Sequence, residues 1–380
     1  SSTTNVIQTR ILILAMINQN DSSTTDDPLN LGLNPVLKSA YFINQNSQDV
    51  QIPLDGIYQA SSKIYNLMKV KKYSTSNWKK HDLHPKTADE KTIEWIFLVD
   101  LLNFSFWSDF DKGTDISENQ KFSITFKNQQ YTGYWSLCAA INRSIEEGIP
   151  ITTPSFYGSE TALSDQVIQH IFRSSSPNSQ IPLLKERIEC IREAGKVLTT
   201  KFDGSFINCI KASNKSCINL LKIIVDNFPC FRDEIMFLGK KVYFYKRAQI
   251  LIADIWACFE GKEYGEFKDI DEITMFADYR VPQALYHLGA IKYSDNLIKT
   301  LERHELLEYG SKLEVEIRGC SIWAVELLRR EIKRVAEREN GQDMIPVLNA
   351  IILDFFIWDF AKEHTNELEV EFHRTRSIYY

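Results

Sequence analysis

Apolar residues recur at helical spacing through most of the chain. The pattern begins between Pro35 and Met68, which includes IPLDGIYQASSKIYNLM, and returns in KTIEWIFLVDLLNFSFW at 91–107. Beyond Pro154 it continues almost to the end. Residues three and four positions apart share one face of a helix, so these stretches predict amphipathic helices.

One stretch has a different period. QKFSITFKNQQYTGYWSL, at 120–137, alternates apolar and polar residues and is rich in β-branched and aromatic types. Alternation with period two is typical of strands that bury one face. The sequence therefore predicts a mainly α fold with a small β hairpin near 120–136.

Composition suggests where the folded part begins. Residues 1–34 are rich in Ser, Thr, Asn and Asp, which predicts a flexible N-terminal extension. The remainder, 35–380, is expected to form a single domain. The loop SSSPNSQIPLL at 174–184 favours a division of this domain into two lobes near residue 180.

Charge and cysteine usage exclude several classes of protein. The formal net charge is −6, which argues against a protein that wraps duplex nucleic acid. Seven cysteines without a CxxC pair, behind a start that lacks a signal-peptide pattern, indicate reduced thiols in a cytoplasmic or nuclear protein. The histidines show no HxH or HExxH spacing, so no metal is expected. AIILDFFIWDF is too short and too charged to cross a membrane.

FADYRVPQ, at 276–283, is the first candidate for chemistry. Helical sequence stops at Phe276, and Val281 before Pro282 predicts an extended residue followed by a new helix. Asp278 would then lie near the positive end of that helix, which favours an ionised carboxylate. Asp278 is either a helix-capping residue or a carboxylate held for general-base work or for stabilising a cation.

KKVYFYKRAQILIADIWACF, at 240–259, predicts a second candidate. Lys246 and Asp254 are eight residues apart and project from one helical face. Asp254 has apolar neighbours, and a carboxylate there is costly to bury without a partner. It either pairs with Lys246 or Arg247 as a structural ion pair, or belongs to a polar cluster that lines a site.

Two aromatic motifs could hold a flat ligand. DLLNFSFW places an amide beside three rings, and YTGYWS adds two more rings next to a glycine. Such stripes are usually core, but stacking rings and an amide also suit a heterocycle. The candidates for base binding are Asp100, Asn103, Phe104, Phe106, Trp107, Tyr134 and Trp135.

The stretch KLEVEIRGCSIWAVELLRREI supplies a fourth cluster. Glu314, Glu316 and Arg318 alternate with apolar residues, and a helix is expected to start after Gly319. Arg318 at such a helix start could bind an anion, or form a salt bridge with Glu316. Together the four clusters offer a carboxylate, a lysine, a slot of aromatic rings and additional arginines. Such a set suits a ligand with a planar base and a phosphate.

Five motifs in order, NFSFW, YTGYW, YKRAQILIADIW, TMFADYRVPQ and EVEIRGCSIWAVE, resemble the queuosine salvage proteins, which are queuosine 5'-phosphate N-glycosylases. The resemblance runs from about residue 40 to 365. It implies hydrolysis of queuosine 5'-monophosphate to release queuine for re-insertion into tRNA. It also implies a helical glycosylase-like fold, similar to that of the helix-hairpin-helix DNA glycosylases.

The resemblance assigns roles by position. Asp278 matches the family's catalytic aspartate and Lys246 its active-site lysine, while Asn103, Phe104 and Trp107 fall in the motif expected around the base. Arg280 and Arg318 are expected to contact phosphate or to hold acidic groups. No cofactor, no stable nucleic-acid partner and no membrane are expected, and the protein is expected to be a monomer. A DNA repair glycosylase and a non-enzymatic queuine- or nucleotide-binding protein are the alternatives.

Overall fold

A computed structural model of the chain describes residues 27–109, 121–341 and 347–380. The predicted N-terminal extension, apart from 27–34, and the DKGTDISENQ loop at 111–120 lie outside the described residues. Helices dominate the described parts, and the strands form three small antiparallel pairs, which confirms a mainly α fold. No helix within those parts has both the length and the apolar character needed to span a bilayer.

The helices, in chain order, are α1 Pro35–Gln45, α2 Leu54–Lys71, α3 Asn77–Lys80, α4 Glu90–Leu101, α5 Tyr134–Glu146, α6 Pro154–Tyr157, α7 Asp165–Ile171, α8 Leu184–Lys201, α9 Ile207–Ala212, α10 Cys217–Asn227, α11 Lys246–Cys258, α12 Val281–His287, α13 Asp295–Glu302, α14 Lys312–Arg338 and α15 Ala350–Glu363. The strands are β1 Val50–Gln51, β2 Ile124–Phe126, β3 Gln129–Tyr131, β4 Glu234–Phe237, β5 Lys240–Tyr243 and β6 Lys292–Tyr293. β1 pairs with β6, β2 with β3, and β4 with β5.

The chain divides into two compact units that are discontinuous in sequence. The first unit takes its residues from Ser1–Thr75, Asp233–Lys246 and Asp269–Arg376, and the second from Ser76–Arg232, Arg247–Lys268 and Ser377–Tyr380. The predicted division near residue 180 stays a prediction, and residue 180 falls inside the second unit.

The core of the first unit is built around α14, which packs against α1, α2, α12 and α15. Every residue of α14 from Glu314 to Leu328 is buried, on all faces of the helix. A Cβ added at Gly319 would lie 2.5 Å from the side chain of Ile43 in α1, so only glycine permits this approach. The expectation that a helix starts after Gly319 is wrong: the helix begins at Lys312.

In the second unit, α4 packs against α5, α8 and α9, and α6 packs against α8. The expected hairpin is confirmed as β2 and β3, with Ile124 opposite Tyr131. Gly133 then adopts a φ of 61° and precedes α5. The helix expected over 91–107 ends earlier, at Leu101, because the following carbonyls of Leu102 and Phe104 accept hydrogen bonds from the guanidinium of Arg187 instead.

Candidate active site

Asp278 lies in the short link before α12, as the sequence predicted. Its Oδ1 accepts hydrogen bonds from the backbone amides of Arg280 at 3.0 Å and Val281 at 2.9 Å. These amides open α12, where orphan N–H groups and the helix dipole favour a negative charge. One oxygen of Asp278 therefore fixes the start of the helix.

The second oxygen of Asp278 is placed differently. Across residues 27–109, 121–341 and 347–380, Oδ2 accepts no hydrogen bond from the protein, and the residue is partly exposed. The carboxylate thus has one oxygen held by backbone and one that a substrate or water molecule can approach.

Burial raises the pKa of Asp278 above its ordinary value. The charge of Lys246, the amides of Val281 and Arg280, and the charge of Arg280 act in the opposite direction and partly offset it. A carboxylate with a raised pKa is a stronger base than an ordinary aspartate when it is ionised.

Lys246 is the first residue of α11 and its side chain is buried. Its backbone N–H donates to Oδ2 of Asp233 at 3.1 Å, so the carboxylate of Asp233 accepts a hydrogen bond from the first turn of the helix. The positive charge of Lys246 lowers the pKa of both Asp278 and Asp354. The structure thus brings Lys246 and Asp278 into the same electrostatic environment within the first unit.

Asp354 is a buried carboxyl that the sequence analysis did not propose. It lies on α15, is 4% exposed, and its Oδ2 accepts a hydrogen bond from the amide of Phe276 at 2.9 Å. Burial, together with the negative charge of Asp278, raises its pKa well above the ordinary value. Burial and the neighbouring negative charge thus both disfavour the ionised form of Asp354. The available signal was a lone aspartate in the apolar run AIILDFFIWDF.

Replacing Asp354 by asparagine is expected to leave the protein at least as stable at pH 7. The amide is neutral, and its oxygen can still accept from Phe276. Because the folded state of the wild type binds the Asp354 proton more tightly than the unfolded state, its stability falls as pH rises above the ordinary aspartate range. Thermal denaturation at several pH values should show the variant gaining relative to the wild type as pH increases. A lower melting temperature than wild type at every pH would contradict a protonated Asp354.

Arg318 lies in the interior of α14, and its guanidinium is fully buried. It donates to both carboxylate oxygens of Asp233, at 2.9 and 2.6 Å, and through Nε to the carbonyl of Ala277 at 2.9 Å. Glu316, the salt-bridge partner considered from sequence, instead accepts from the N-terminal region of the unit, including the amide of Gln48 at 2.6 Å. These contacts correspond to the second of the two expected roles for Arg318, holding acidic groups.

Arg280 is half-buried beside Asp278. Its guanidinium lies 4.9 Å from the ring centre of Phe372 and 5.6 Å from that of Tyr279, and its Nη1 donates to Gln283 at 3.4 Å. Arg280 keeps exposed surface next to the candidate catalytic carboxylate, whereas Arg318 does not. A phosphate contact by Arg280 stays a prediction.

The motif NFSFW belongs to the second unit. Asn103 donates from Nδ2 to Oδ1 of Asp100 at 3.3 Å, and both residues are buried. The ring of Phe104 is 1% exposed and has the guanidiniums of Arg187 and Arg247 at 4.2 and 5.0 Å from its centre.

The other two rings of the motif differ in exposure. Trp107 is buried, whereas Phe106 is half-buried and lies 5.2 Å from the guanidinium of Arg187. Phe106 is therefore the ring of NFSFW with the most surface left for a ligand.

Tyr134 and Trp135 open α5 and contact two histidines that the sequence analysis did not propose. The ring of Trp135 stacks on His81 with centres 3.1 Å apart and planes 4° from parallel. Burial lowers the pKa of His81 to about 4 and that of His84 to about 3, so both are neutral at pH 7. The short spacing in HDLH was the available signal.

The tautomer of His84 follows from its partners. Its Nδ1 is 2.7 Å from the carbonyl of Trp78, which can only accept, so Nδ1 carries the proton. Its Nε2 then accepts from the hydroxyl of Tyr134 at 2.8 Å. Tyr134 is thereby held in one orientation.

Asp254 lies within α11 and is 5% exposed. Its Oδ1 accepts from the indole Nε1 of Trp78 at 3.0 Å. The negative charges of Asp254 and Asp100 both add to the effect of burial in raising the pKa of Tyr134, so the two carboxyls share one polar cluster in the second unit. The ion pair considered for Asp254 stays a prediction.

The structure thus groups the predicted site residues by unit. Lys246, Asp278, Arg280 and Arg318 lie in the first unit with Asp233 and Asp354. The base-binding candidates and Asp254 lie in the second. The described parts of the chain contain no cluster of three or more His, Cys, Asp or Glu residues suited to a metal ion.

Comparison with known proteins bears on what these residues do. Residues 83–380 match the family model described as "Queuosine salvage protein". A Mus musculus protein is 46% identical over 345 residues, covering 90% of this chain and 98% of the relative. A Schizosaccharomyces pombe protein is 44% identical over 355 residues (91% and 99%), and one from Sphaerobacter thermophilus is 35% identical over 345 residues (91% and 97%). All three are named "Queuosine 5'-phosphate N-glycosylase/hydrolase".

Proposed function

The chain belongs to the queuosine salvage protein family, and we propose from this that it hydrolyses the N-glycosidic bond of queuosine 5'-monophosphate and releases queuine. The observation that carries the proposal is the family match over residues 83–380, together with relatives of that activity at 44–46% identity over nearly their whole length. The protein is accordingly a hydrolytic N-glycosylase that acts on a small nucleotide.

Asp278 is the residue we assign to the chemical step. As the bond between the anomeric carbon and the base breaks, its electron pair leaves with the base and the sugar gains positive charge. An ionised carboxylate beside that carbon stabilises the charge. The oxygen of Asp278 that accepts no backbone hydrogen bond can also take the proton of the attacking water. The departing base takes up a proton from solvent, and Asp278 later returns its proton to solvent.

Lys246 has two candidate roles. Its charge can bind the 5'-phosphate, or it can act on Asp278 and the attacking water, and its influence on the pKa of Asp278 supports the second role. A Schiff base formed by Lys246 would require a depressed pKa. We favour the electrostatic role because hydrolysis needs no covalent intermediate.

For recognition of the base and the phosphate we propose the remaining candidates. Asn103 and Asp100 are suited to hydrogen bonds with the edge of a deazapurine, and the half-buried ring of Phe106 is suited to stacking. We assign the phosphate contact to Arg280, because this residue is only half-buried and keeps exposed surface. We also propose that the protein is a monomer and that it acts in the cytoplasm. The seven unbridged, buried cysteines support the reducing compartment.

The decisive experiment is a single-turnover incubation of the purified chain with queuosine 5'-monophosphate, analysed by mass spectrometry. We expect free queuine and ribose 5-phosphate in equal amounts. Tight binding with only intact substrate would instead identify a binding protein. Base release from a damaged duplex oligonucleotide, without release from the nucleotide, would identify a DNA glycosylase.

A further inference from the structure

Asp233 and Arg318 form a buried ion pair with bidentate geometry. The guanidinium donates Nη1 to Oδ1 at 2.9 Å and Nη2 to Oδ2 at 2.6 Å. Both side chains are at most 1% exposed. Paired hydrogen bonds of this kind fix the orientation of both groups as well as their distance.

Each member of the pair also holds one end of the catalytic arrangement. Oδ2 of Asp233 accepts from the backbone amide of Lys246, at 3.1 Å. Nε of Arg318 donates to the carbonyl of Ala277, the residue before Asp278, at 2.9 Å. A continuous chain of hydrogen bonds therefore runs from the backbone of Lys246 to the backbone beside Asp278, and the ion pair is its central link.

Three neighbouring residues contact this pair. The hydroxyl of Tyr309 donates to Oδ1 of Asp233 at 2.8 Å, Glu314 lies 3.6 Å from Nη1 of Arg318, and the ring of Phe244 lies 4.2 Å from the guanidinium carbon. Removing such charges from water has a large desolvation cost, and apolar residues of similar size often serve stability equally well. A buried pair at this place is better explained by what it orients.

We propose that the Asp233–Arg318 pair is a positioning device that sets the placement of Lys246 relative to Asp278. The proposal rests on the proposed function, since it concerns how that catalytic pair is held. It also explains why Arg318 is unsuited to phosphate: its Nε, Nη1 and Nη2 already donate to protein oxygens.

The test uses Arg318→Lys. Lysine keeps the charge but lacks the planar fork, so it cannot bind both oxygens of Asp233 and the carbonyl of Ala277 in the same geometry. We expect kcat for queuine release to fall about 10- to 100-fold, the loss typical of a small displacement of catalytic groups. KM should stay within about threefold of wild type, because the fully buried guanidinium of Arg318 offers no surface to a substrate.

Two matched controls separate positioning from general destabilisation. Tyr309→Phe removes a hydrogen bond to Asp233 but leaves the bonds to Lys246 and Ala277. Arg330→Lys alters a second arginine of α14, whose partner Glu326 is 2.9 Å away. Both should keep kcat within about threefold of wild type, and their melting temperatures show how far destabilisation alone changes kcat.

Asp233→Asn provides an independent variant if Arg318→Lys does not fold. It keeps the size of the side chain and loses the charge, and the same fall in kcat at nearly constant KM is expected. A kcat equal to that of the controls in the folded variants would overturn the proposal, as would an equal loss in Tyr309→Phe.

A crystal structure of the variant adds a measurement that needs no activity. The distance from Nζ of Lys246 to the nearest carboxylate oxygen of Asp278 should differ from that in the wild type. An unchanged distance would overturn the positioning role. Absence of queuine release by the wild type would instead count against the proposed function and leave this structural test valid.

Discussion

Replacing Asp278 by asparagine is expected to lower kcat for queuine release by roughly 10³-fold or more, since the general base and the anionic stabiliser are lost together. The amide oxygen of asparagine can still accept from the amides of Arg280 and Val281, so the start of α12 should be preserved. Substrate affinity, measured by calorimetry with queuosine 5'-monophosphate, should therefore remain detectable and the melting temperature should change little.

Asp295→Asn is the matched control for this change. Asp295 is an exposed aspartate in the first turn of another helix of the same unit, α13. This variant should retain wild-type kcat. Turnover by Asp278→Asn within a few-fold of wild type would show that Asp278 only caps its helix.

Replacing Lys246 by methionine is expected to lower kcat/KM by about 10²- to 10³-fold, because a buried charge beside the catalytic carboxylate is removed. The comparison of queuosine 5'-monophosphate with the nucleoside queuosine then separates the two candidate roles. If Lys246 binds the phosphate, the variant loses the preference for the nucleotide. If it acts on Asp278 and the water, both substrates slow by the same factor, which is the result we expect.

The pH profile of the same variant gives a second measurement. Asp278 must be ionised, so activity falls as pH drops through its pKa, and burial places this acidic limb above the range of an ordinary aspartate. Lys246 lowers that pKa, and its removal should move the acidic limb of kcat/KM to higher pH. A limb that stays in place would show that Lys246 does not act on Asp278. Lys292→Met, at an exposed position in β6, should leave the profile unchanged.

The sequence located the link that holds Asp278 because its signals are local. Pro282 suits the first turn of a helix, and a new helix, α12, does follow the link. It begins one residue earlier, at Val281, so the expectation that Val281 is extended is wrong. The hairpin of β2 and β3 was predictable for the same reason, since alternation over a few residues reports directly on strand faces.

Two of the misses involve partners that are distant in sequence, and a third involves an unusual turn. Alternation in EVEIR argued against a helix there, yet these residues lie in α14. From Glu314 to Leu328 this helix is buried on every face, so the spacing of polar residues does not reveal a helical period and each polar side chain requires its own partner. Asp233 and Arg318 are 85 residues apart, and no spacing rule connects them. The hairpin of β4 and β5 was missed because its turn places Leu238 at a φ of 50° before Gly239 at 77°, where asparagine or aspartate would have been the usual signal.

The two oxygens of Asp278 have a consequence for inhibitor design. One oxygen is occupied by the helix, so a ligand that engages the other need not disturb the fold. A sugar analogue with a protonated nitrogen at the anomeric position would place its charge against that oxygen, as the oxocarbenium ion does. Its affinity should rise with pH while Asp278 loses its proton, and then decline once the amine loses its own. The tightest-binding inhibitors of this kind would therefore be those whose amine pKa lies well above that of Asp278.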